Sequence, residues 1–202
     1  MGPVADAQSA VKRILGLDPG LNHLGWAVIE TEGPATRAVA FGVFDVPKGE
    51  LPERLSSISK HLTACIGEYR PDCAAIERVF VNVNPQSTLR LGEARGAAIA
   101  ALALAGLPVE EFTPSEIKQC ITGTGRADKA MVQRMVTTLL GLTDTPRTDA
   151  ADALGCAITC AQTMRLRALE RSGGTTRTYA TARRGASGRG ARAAWAKFAG
   201  EK

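Results

Sequence analysis

The sequence has few aromatic residues, few histidines and no long apolar run. Phe, Trp and Tyr make up only 4% of the 202 residues. The longest apolar run, residues 97–105, is far shorter than the roughly 20 residues of a membrane-spanning helix. Residues 1–12 lack the basic start and apolar stretch of a secretion signal. We therefore expect a cytoplasmic protein that is neither secreted nor inserted in a membrane.

The cysteines show no CxxC pair, and their number, five, is odd. Cys156 and Cys160 lie four residues apart on a predicted helix and could begin a metal site. The chain has only two histidines, His23 and His61, so a four-ligand zinc site is hard to assemble. We expect cysteines that are buried and reduced.

Charge is distributed unevenly along the chain. Residues 165–202 have a net charge of +8, whereas residues 1–164 have a net charge of −3. Residues 171–202 are rich in Gly, Ser, Thr and Ala, which predicts a disordered basic tail. Such a tail suits nucleic acid, although a solubilising role stays open. We expect one domain over residues 13–170, preceded by a flexible extension over residues 1–12.

Hydrophobic patterning predicts the element order βββαβαβααα. The predicted strands are residues 13–17, 24–31, 37–46, 73–80 and 107–112. The predicted helices are residues 51–66, 87–105, 114–120, 127–140 and 149–169. Short links between the first three strands indicate an antiparallel meander, and the apolar fourth strand should be central. The order predicts an α/β fold with a mixed five-stranded sheet flanked by helices.

Four acidic residues occupy unusual positions in this pattern. Asp18 stands where the first apolar strand ends, and Glu77 interrupts the fourth strand. Asp149 and Asp152 are three residues apart near a helix start, so both can project to one side. Three of them have a structural alternative: Asp18 can stabilise a turn, Glu77 can face solvent at a strand end, and Asp149 can favour the helix dipole.

Considered together, the four carboxylates favour metal-dependent chemistry. Strand ends in such sheets share one edge, and a helix N-terminus can point at that edge. Converging carboxylates repel one another unless a cation holds them. Oxygen ligands without His or Cys favour Mg²⁺ or Mn²⁺. Two such ions can clamp the attacking and leaving oxygens of a phosphodiester, so the pattern predicts a nuclease.

Four segments carry a resemblance to a known family: residues 14–20 (ILGLDPG), 75–80 (AIERVF), 91–96 (LGEARG) and 149–154 (DAADAL). In order and spacing they closely resemble the bacterial RuvC family of Holliday-junction resolvases, within the ribonuclease H-like superfamily. The resemblance implies a homodimer that resolves four-way DNA junctions by two symmetric nicks during recombination and repair. It also implies a branch-migration complex of the RuvA and RuvB type as a partner.

The resemblance further implies that a set of four acids binds two Mg²⁺ or Mn²⁺ ions: Asp18, Glu77, Asp149 and Asp152. It places Lys118 and Lys129 near the scissile phosphate, as catalytic and DNA-binding residues, and Phe80 at the junction centre. The N-terminal extension, Glu93 in place of a Gln, and the basic tail depart from the family pattern.

The residues themselves support the basic positions only in part. Lys118 and Lys129 flank a glycine loop, so both could reach one phosphate, and Arg126 in that loop could add a contact. Phe80 could insert between bases beside the cleft. The alternatives, solvated basic residues and a core Phe, stay open at this point.

Two rival functions fit the sequence less well. An actin-like or sugar-kinase ATPase also carries an acid and Gly on its first strand, but it needs two domains to enclose ATP, and no GxxxxGK[ST] loop is present. A junction-binding protein without catalysis would suit the basic tail. Four carboxylates beside DNA would only weaken such binding, so we favour a metal-dependent junction endonuclease.

Overall fold

The computed structural model describes residues 11–78 and 84–171. The strands are β1 (Lys12–Asp18), β2 (His23–Glu32), β3 (Ala35–Asp45), β4 (Cys73–Glu77) and β5 (Val109–Phe112). The helices are α1 (Leu51–Tyr69), α2 (Pro85–Leu104), α3 (Pro114–Thr122), α4 (Lys129–Leu140) and α5 (Thr148–Arg171). The predicted element order is confirmed over this part of the chain.

The sheet is mixed, with strand order β3-β2-β1-β4-β5. The first three strands form the expected antiparallel meander, and β4 and β5 run parallel to β1. In this register Leu17 pairs with Ile76 on the neighbouring parallel strand. The next residue on each strand is an acid, Asp18 on β1 and Glu77 on β4. The topology therefore brings two carboxylates to the same edge of the sheet.

A hydrophobic layer lies on each face of the sheet. Side chains alternate along β1, so Ile14 joins the layer beneath α3, α4 and α5, whereas Leu15 and Leu17 join the layer beneath α1 and α2. All three are fully buried. Because β1 is covered on both faces, residues 14–17 contain no polar side chain, and the first polar residue after them is Asp18.

The contact between α5 and the sheet is unusually close at two glycines. A Cβ on Gly16 would lie 2.1 Å from the carbonyl oxygen of Ala153, and a Cβ on Gly25 would lie 2.0 Å from that of Asp149. Any side chain at either position would push α5 away. The first half of α5 is rich in buried alanine, which suits this close approach.

The fourth strand ends earlier than the sequence predicts. The fourth strand was expected over residues 73–80, but β4 ends at Glu77. Its neighbour β5 ends at Phe112, because Thr113 and Glu116 form the expected capping box that starts α3. Beyond Phe112, β5 therefore offers no strand residue with which β4 could continue to pair.

Some expectations fall outside the described residues. Phe80 and most of residues 1–12 and 171–202 belong to this group, although Lys12 already starts β1 and Arg171 ends α5. The chain divides into two units, Met1–Met164 and Arg165–Lys202. The proposed domain limits and the basic tail stay predictions.

The cysteines are free thiols, and four of the five are buried while Cys120 is half-buried. The expectation of buried cysteines is thus confirmed except at that position. Among the described residues, no helix is both long and apolar enough to cross a bilayer.

We predict that Gly16→Ala lowers the free energy of unfolding by about 3 kcal/mol, since the new Cβ collides with the backbone of α5. Urea unfolding monitored by circular dichroism measures this loss. Gly67→Ala is the matched control: it adds a Cβ into open space on α1 and should stabilise the helix by about 0.5–1 kcal/mol. Equal stability of Gly16→Ala and wild type would contradict the close contact.

Candidate active site

A cleft of about 190 Å³ opens at the sheet edge where β1 and β4 end. Its lining combines three acids, two lysines and an apolar wall: Asp18, Glu77, Asp152, Lys118, Lys129, Pro114, Ile117 and Val132. Five of the residues predicted from sequence thus meet in one cavity. The apolar wall comes from α3 and α4, which the sequence analysis did not assign to the site.

Asp149 lies beside this cleft rather than in its lining. It stands in the first turn of α5, and its backbone packs against Gly25. Gly25 in turn pairs with Asp18 across β1 and β2. The negative charge of Asp149 acts on the cleft, where it raises the pKa values of Asp18 and Asp152.

The two lysines approach the acids from different helices. Lys129 is the first residue of α4, and Asp128 before it caps that helix by accepting a hydrogen bond from the Met131 amide. The Lys129 ammonium lies 3.5 Å from the Asp152 carboxylate. This ion pair is the largest cause of the raised pKa of Lys129. Lys118 on α3 lowers the pKa values of Glu77 and Asp152 through its charge.

Burial and mutual repulsion both disfavour ionisation of the acids. The pKa of Asp18 is raised to about 8, mainly by desolvation and in addition by the charges of Glu77 and Asp152. Desolvation also raises the pKa values of Glu77 and Asp152, although Lys129 opposes both shifts. The lysines therefore do not neutralise the cluster, and a further cation would be favourable.

The donor set fits a hard divalent cation by its chemistry. The acids offer only carboxylate oxygens, which suit Mg²⁺ and Mn²⁺ better than softer metals. Within residues 11–78 and 84–171, however, no three carboxylate, imidazole or thiol side chains lie close enough together to hold an ion. An ion that binds here would have to draw the carboxylates towards itself.

Two other predicted positions lie away from the cleft or cannot be placed. Arg126 is exposed in the loop between α3 and α4 and does not line the cavity. Phe80 lies outside the described residues, so its expected role at the junction centre stays a prediction.

Sequence analysis missed Arg95, which supports the main chain at Glu77. Its guanidinium donates a hydrogen bond of 3.1 Å to the main-chain oxygen of Glu77 and lies 2.5 Å from the carboxylate of Glu111 on β5. Only 19% of its side chain is exposed. Its position in an Ala- and Gly-rich helix marks Arg95 as unusual, but the sequence does not indicate which group it contacts.

The comparisons with known proteins agree on one family. The family described as crossover junction endodeoxyribonuclease RuvC matches residues 14–160. A RuvC of that description from Janthinobacterium sp. (strain Marseille) is 55% identical over 146 residues, covering 72% of this chain and 81% of the relative. One from Burkholderia ambifaria (strain MC40-6) is 54% identical over 146 residues, with 72% and 80% covered.

Solved structures show the same architecture. Thermus thermophilus RuvC in complex with a Holliday junction substrate matches with a TM-score of 0.73 and 33% identity, covering 77% of this chain and 96% of that one. A yeast mitochondrial Holliday junction resolvase shares the fold at a TM-score of 0.59 and 14% identity, covering 81% and 82%. The ribonuclease H-like fold expected from the sequence is confirmed.

We predict that Asp18→Asn stabilises the metal-free protein in a pH-dependent way. In an unfolded chain the pKa of Asp is about 3.9, whereas the folded environment raises the pKa of Asp18 to about 8. Between these values Asp18 stays protonated in the folded protein but ionises in the unfolded chain, so the stability of the wild-type protein falls as the pH rises. The advantage of Asp18→Asn should be absent at about pH 4 and should grow by up to about 1.4 kcal/mol per pH unit until about pH 8.

Urea unfolding in EDTA at both pH values measures this difference. Asp144→Asn, which alters an exposed loop acid, is the control and should change stability little. Equal stability of Asp18→Asn and wild type at the higher pH would show that the Asp18 carboxylate is not penalised in the cleft.

Proposed function

The chain belongs to the RuvC family of crossover junction endodeoxyribonucleases, and from that premise we propose that its acidic cleft cuts four-way DNA junctions. Enzymes of this family depend on metal ions. The proposed ligands are Asp18, Glu77 and Asp152 from the cleft, with Asp149 beside them. The substrate is the Holliday junction, the DNA on which the Thermus thermophilus relative was captured.

The observation that carries this proposal is the pairing of repelling acids with two lysines in one cleft. The acids have raised pKa values that a divalent cation would lower. Lys118 and Lys129 line the same cavity. A phosphodiester entering the cleft brings negative charge, which the acids alone would repel and the lysines attract.

Two Mg²⁺ or Mn²⁺ ions, when bound, would supply Lewis acidity and an activated water for hydrolysis of the phosphodiester. The chain's own residues set up the geometry around this chemistry. Lys129, at the N-terminus of α4, forms an ion pair with Asp152 and can also neutralise a phosphate oxygen there. The apolar side chains Ile117 and Val132 exclude water from one wall, which strengthens every charge interaction in the cleft.

We predict that Asp18→Asn, Glu77→Gln, Asp149→Asn and Asp152→Asn each abolish cleavage while junction binding survives. Each change removes a ligand charge but keeps the side-chain shape, and DNA affinity depends mainly on phosphate contacts elsewhere. A nicking assay on a synthetic four-way junction with Mg²⁺, Mn²⁺ or EDTA measures cleavage, and a gel-shift assay in EDTA measures binding.

Asp144→Asn is the control for this series and should cleave at the wild-type rate. A wild-type rate in one of the four variants would remove that residue from the proposed site. Junction binding without cleavage by the wild-type protein in either metal would instead support the non-catalytic alternative.

We also propose that the active form is a homodimer paired through α2. Exposed small residues follow this helix at a spacing of four, Gly92, Gly96 and Ala100, and lead to Leu104. Leu104 is 91% exposed, an unusual state for a large apolar side chain. Small side chains permit close approach of a second helix, and two symmetric nicks call for a twofold pair.

Leu104→Glu should therefore raise the dimer dissociation constant by at least about tenfold, because it places a charge in an apolar interface. Sedimentation velocity at several concentrations measures the equilibrium. Leu139→Glu alters a 46% exposed leucine on α4 and is the matched control. A monomeric wild-type protein with full resolving activity would overturn the dimer.

The proposal extends to the cellular setting of the enzyme. A junction resolvase acts where the chromosome is, which places a bacterial member of this family in the cytoplasm. There it would work with a branch-migration complex of the RuvA and RuvB type. Co-sedimentation of the three proteins on junction DNA tests this partnership, and independent sedimentation would count against it.

A further inference from the structure

Three sulfur atoms meet on the face of the sheet that α5 covers. The Sγ atom of Cys73, the first residue of β4, lies 4.0 Å from the Sδ atom of Met164 on α5. The Sγ atom of Cys160, one turn earlier on α5, lies 3.9 Å from the same Sδ atom. A hydrogen bond between the two thiols lowers the pKa of Cys73 and raises that of Cys160.

The sulfur cluster, Cys73, Cys160 and Met164, differs from the cysteine pair that sequence spacing singled out. Cys156 and Cys160 are four residues apart, but Cys160 turns its thiol towards β4 and Met164 instead. Met164 has no ionisable group, so a search of the sequence for His and Cys alone does not find it.

The sulfur spacing suits a planar three-coordinate ion. Sulfur atoms about 4 Å apart at the corners of a triangle can each lie about 2.3 Å from a central ion, the usual metal–thiolate bond length. Thiolate and thioether ligands select Cu(I) among the biological metals. We propose that Cys73, Cys160 and Met164 form a binding site for one Cu(I) ion, separate from the acidic cleft.

The surroundings of the cluster favour a monovalent soft ion over zinc. Zinc in a structural site takes four ligands, and the described residues offer no group of three or more His, Cys, Asp and Glu side chains that could hold an ion. Three ligands complete the shell of Cu(I). Each thiol that binds loses its proton to solvent, and the ion keeps its oxidation state, so no oxidant or reductant is consumed.

The cluster lies just beneath the surface. Cys160 is fully buried, whereas 8% of Cys73 is exposed and Met164 is half-buried. Cys73 and Met164 are therefore the ligands that an entering ion would meet first. Once bound, it would join β4 to α5, the two elements that carry Glu77 and Asp152, and it would raise the stability of the folded state by mass action.

An anaerobic titration with Cu(I) tests the site, with a chromogenic chelator competing for the ion. The wild-type protein should take one equivalent from the chelator and should unfold at a higher temperature with Cu(I). Met164→Leu keeps the side-chain volume and should weaken Cu(I) binding by more than about tenfold. Cys160→Ala should weaken it further. Thermal unfolding without copper verifies that each variant is folded.

Cys120→Ser is the matched control, because Cys120 is a half-buried thiol outside the cluster, and its Cu(I) affinity should equal that of wild type. The proposal is overturned if wild type takes no Cu(I), if Met164→Leu and Cys160→Ala bind as wild type does, or if Zn²⁺ binds as tightly as Cu(I). The binding readout is independent of nuclease activity, so the acidic cleft and the sulfur cluster stand or fall separately.

Discussion

The contact of α5 with the central strands is the constraint on which the rest of the structure depends. Gly16 and Gly25 allow helix backbone to touch strand backbone. No side chain separates the two layers there, so the start of α5 is held at a fixed height above the sheet edge. Asp152 reaches the cleft, and Asp149 reaches its border, only because of this height. The glycines therefore determine where the two acids of α5 lie relative to the sheet edge.

The cleft is a region where folding and function oppose each other. Apolar residues pack beside carboxylates, and the acids disfavour one another's ionisation. A sequence selected for stability alone would replace Asp18 with a neutral residue. A carboxylate whose ionisation the fold disfavours, kept at the end of a buried strand, is what a metal-binding role would require.

Much of this architecture could be predicted from the sequence because its signals are local. Periodicity identified the strands and helices, and the capping box at Thr113 located the start of α3. The strand ends predicted that Asp18 and Glu77 would be neighbours. Long-range contacts were harder to predict from the sequence. Nothing near Arg95 in the sequence indicates that its guanidinium binds the backbone of β4. Spacing paired Cys160 with Cys156, whereas packing pairs it with Cys73.

The single guanidinium of Arg95 also limits how the cleft can deform. It ties the main chain at Glu77 to α2 through a hydrogen bond of 3.1 Å and to β5 through Glu111. A slide of α2 by one residue, about 1.5 Å along its axis, would break that bond. Asp152 is held against β1 and β2 through the glycines, whereas Glu77 has an additional link to α2 through Arg95. A shift of α2 along its axis would therefore pull on the main chain at Glu77 and change the distance between Glu77 and Asp152.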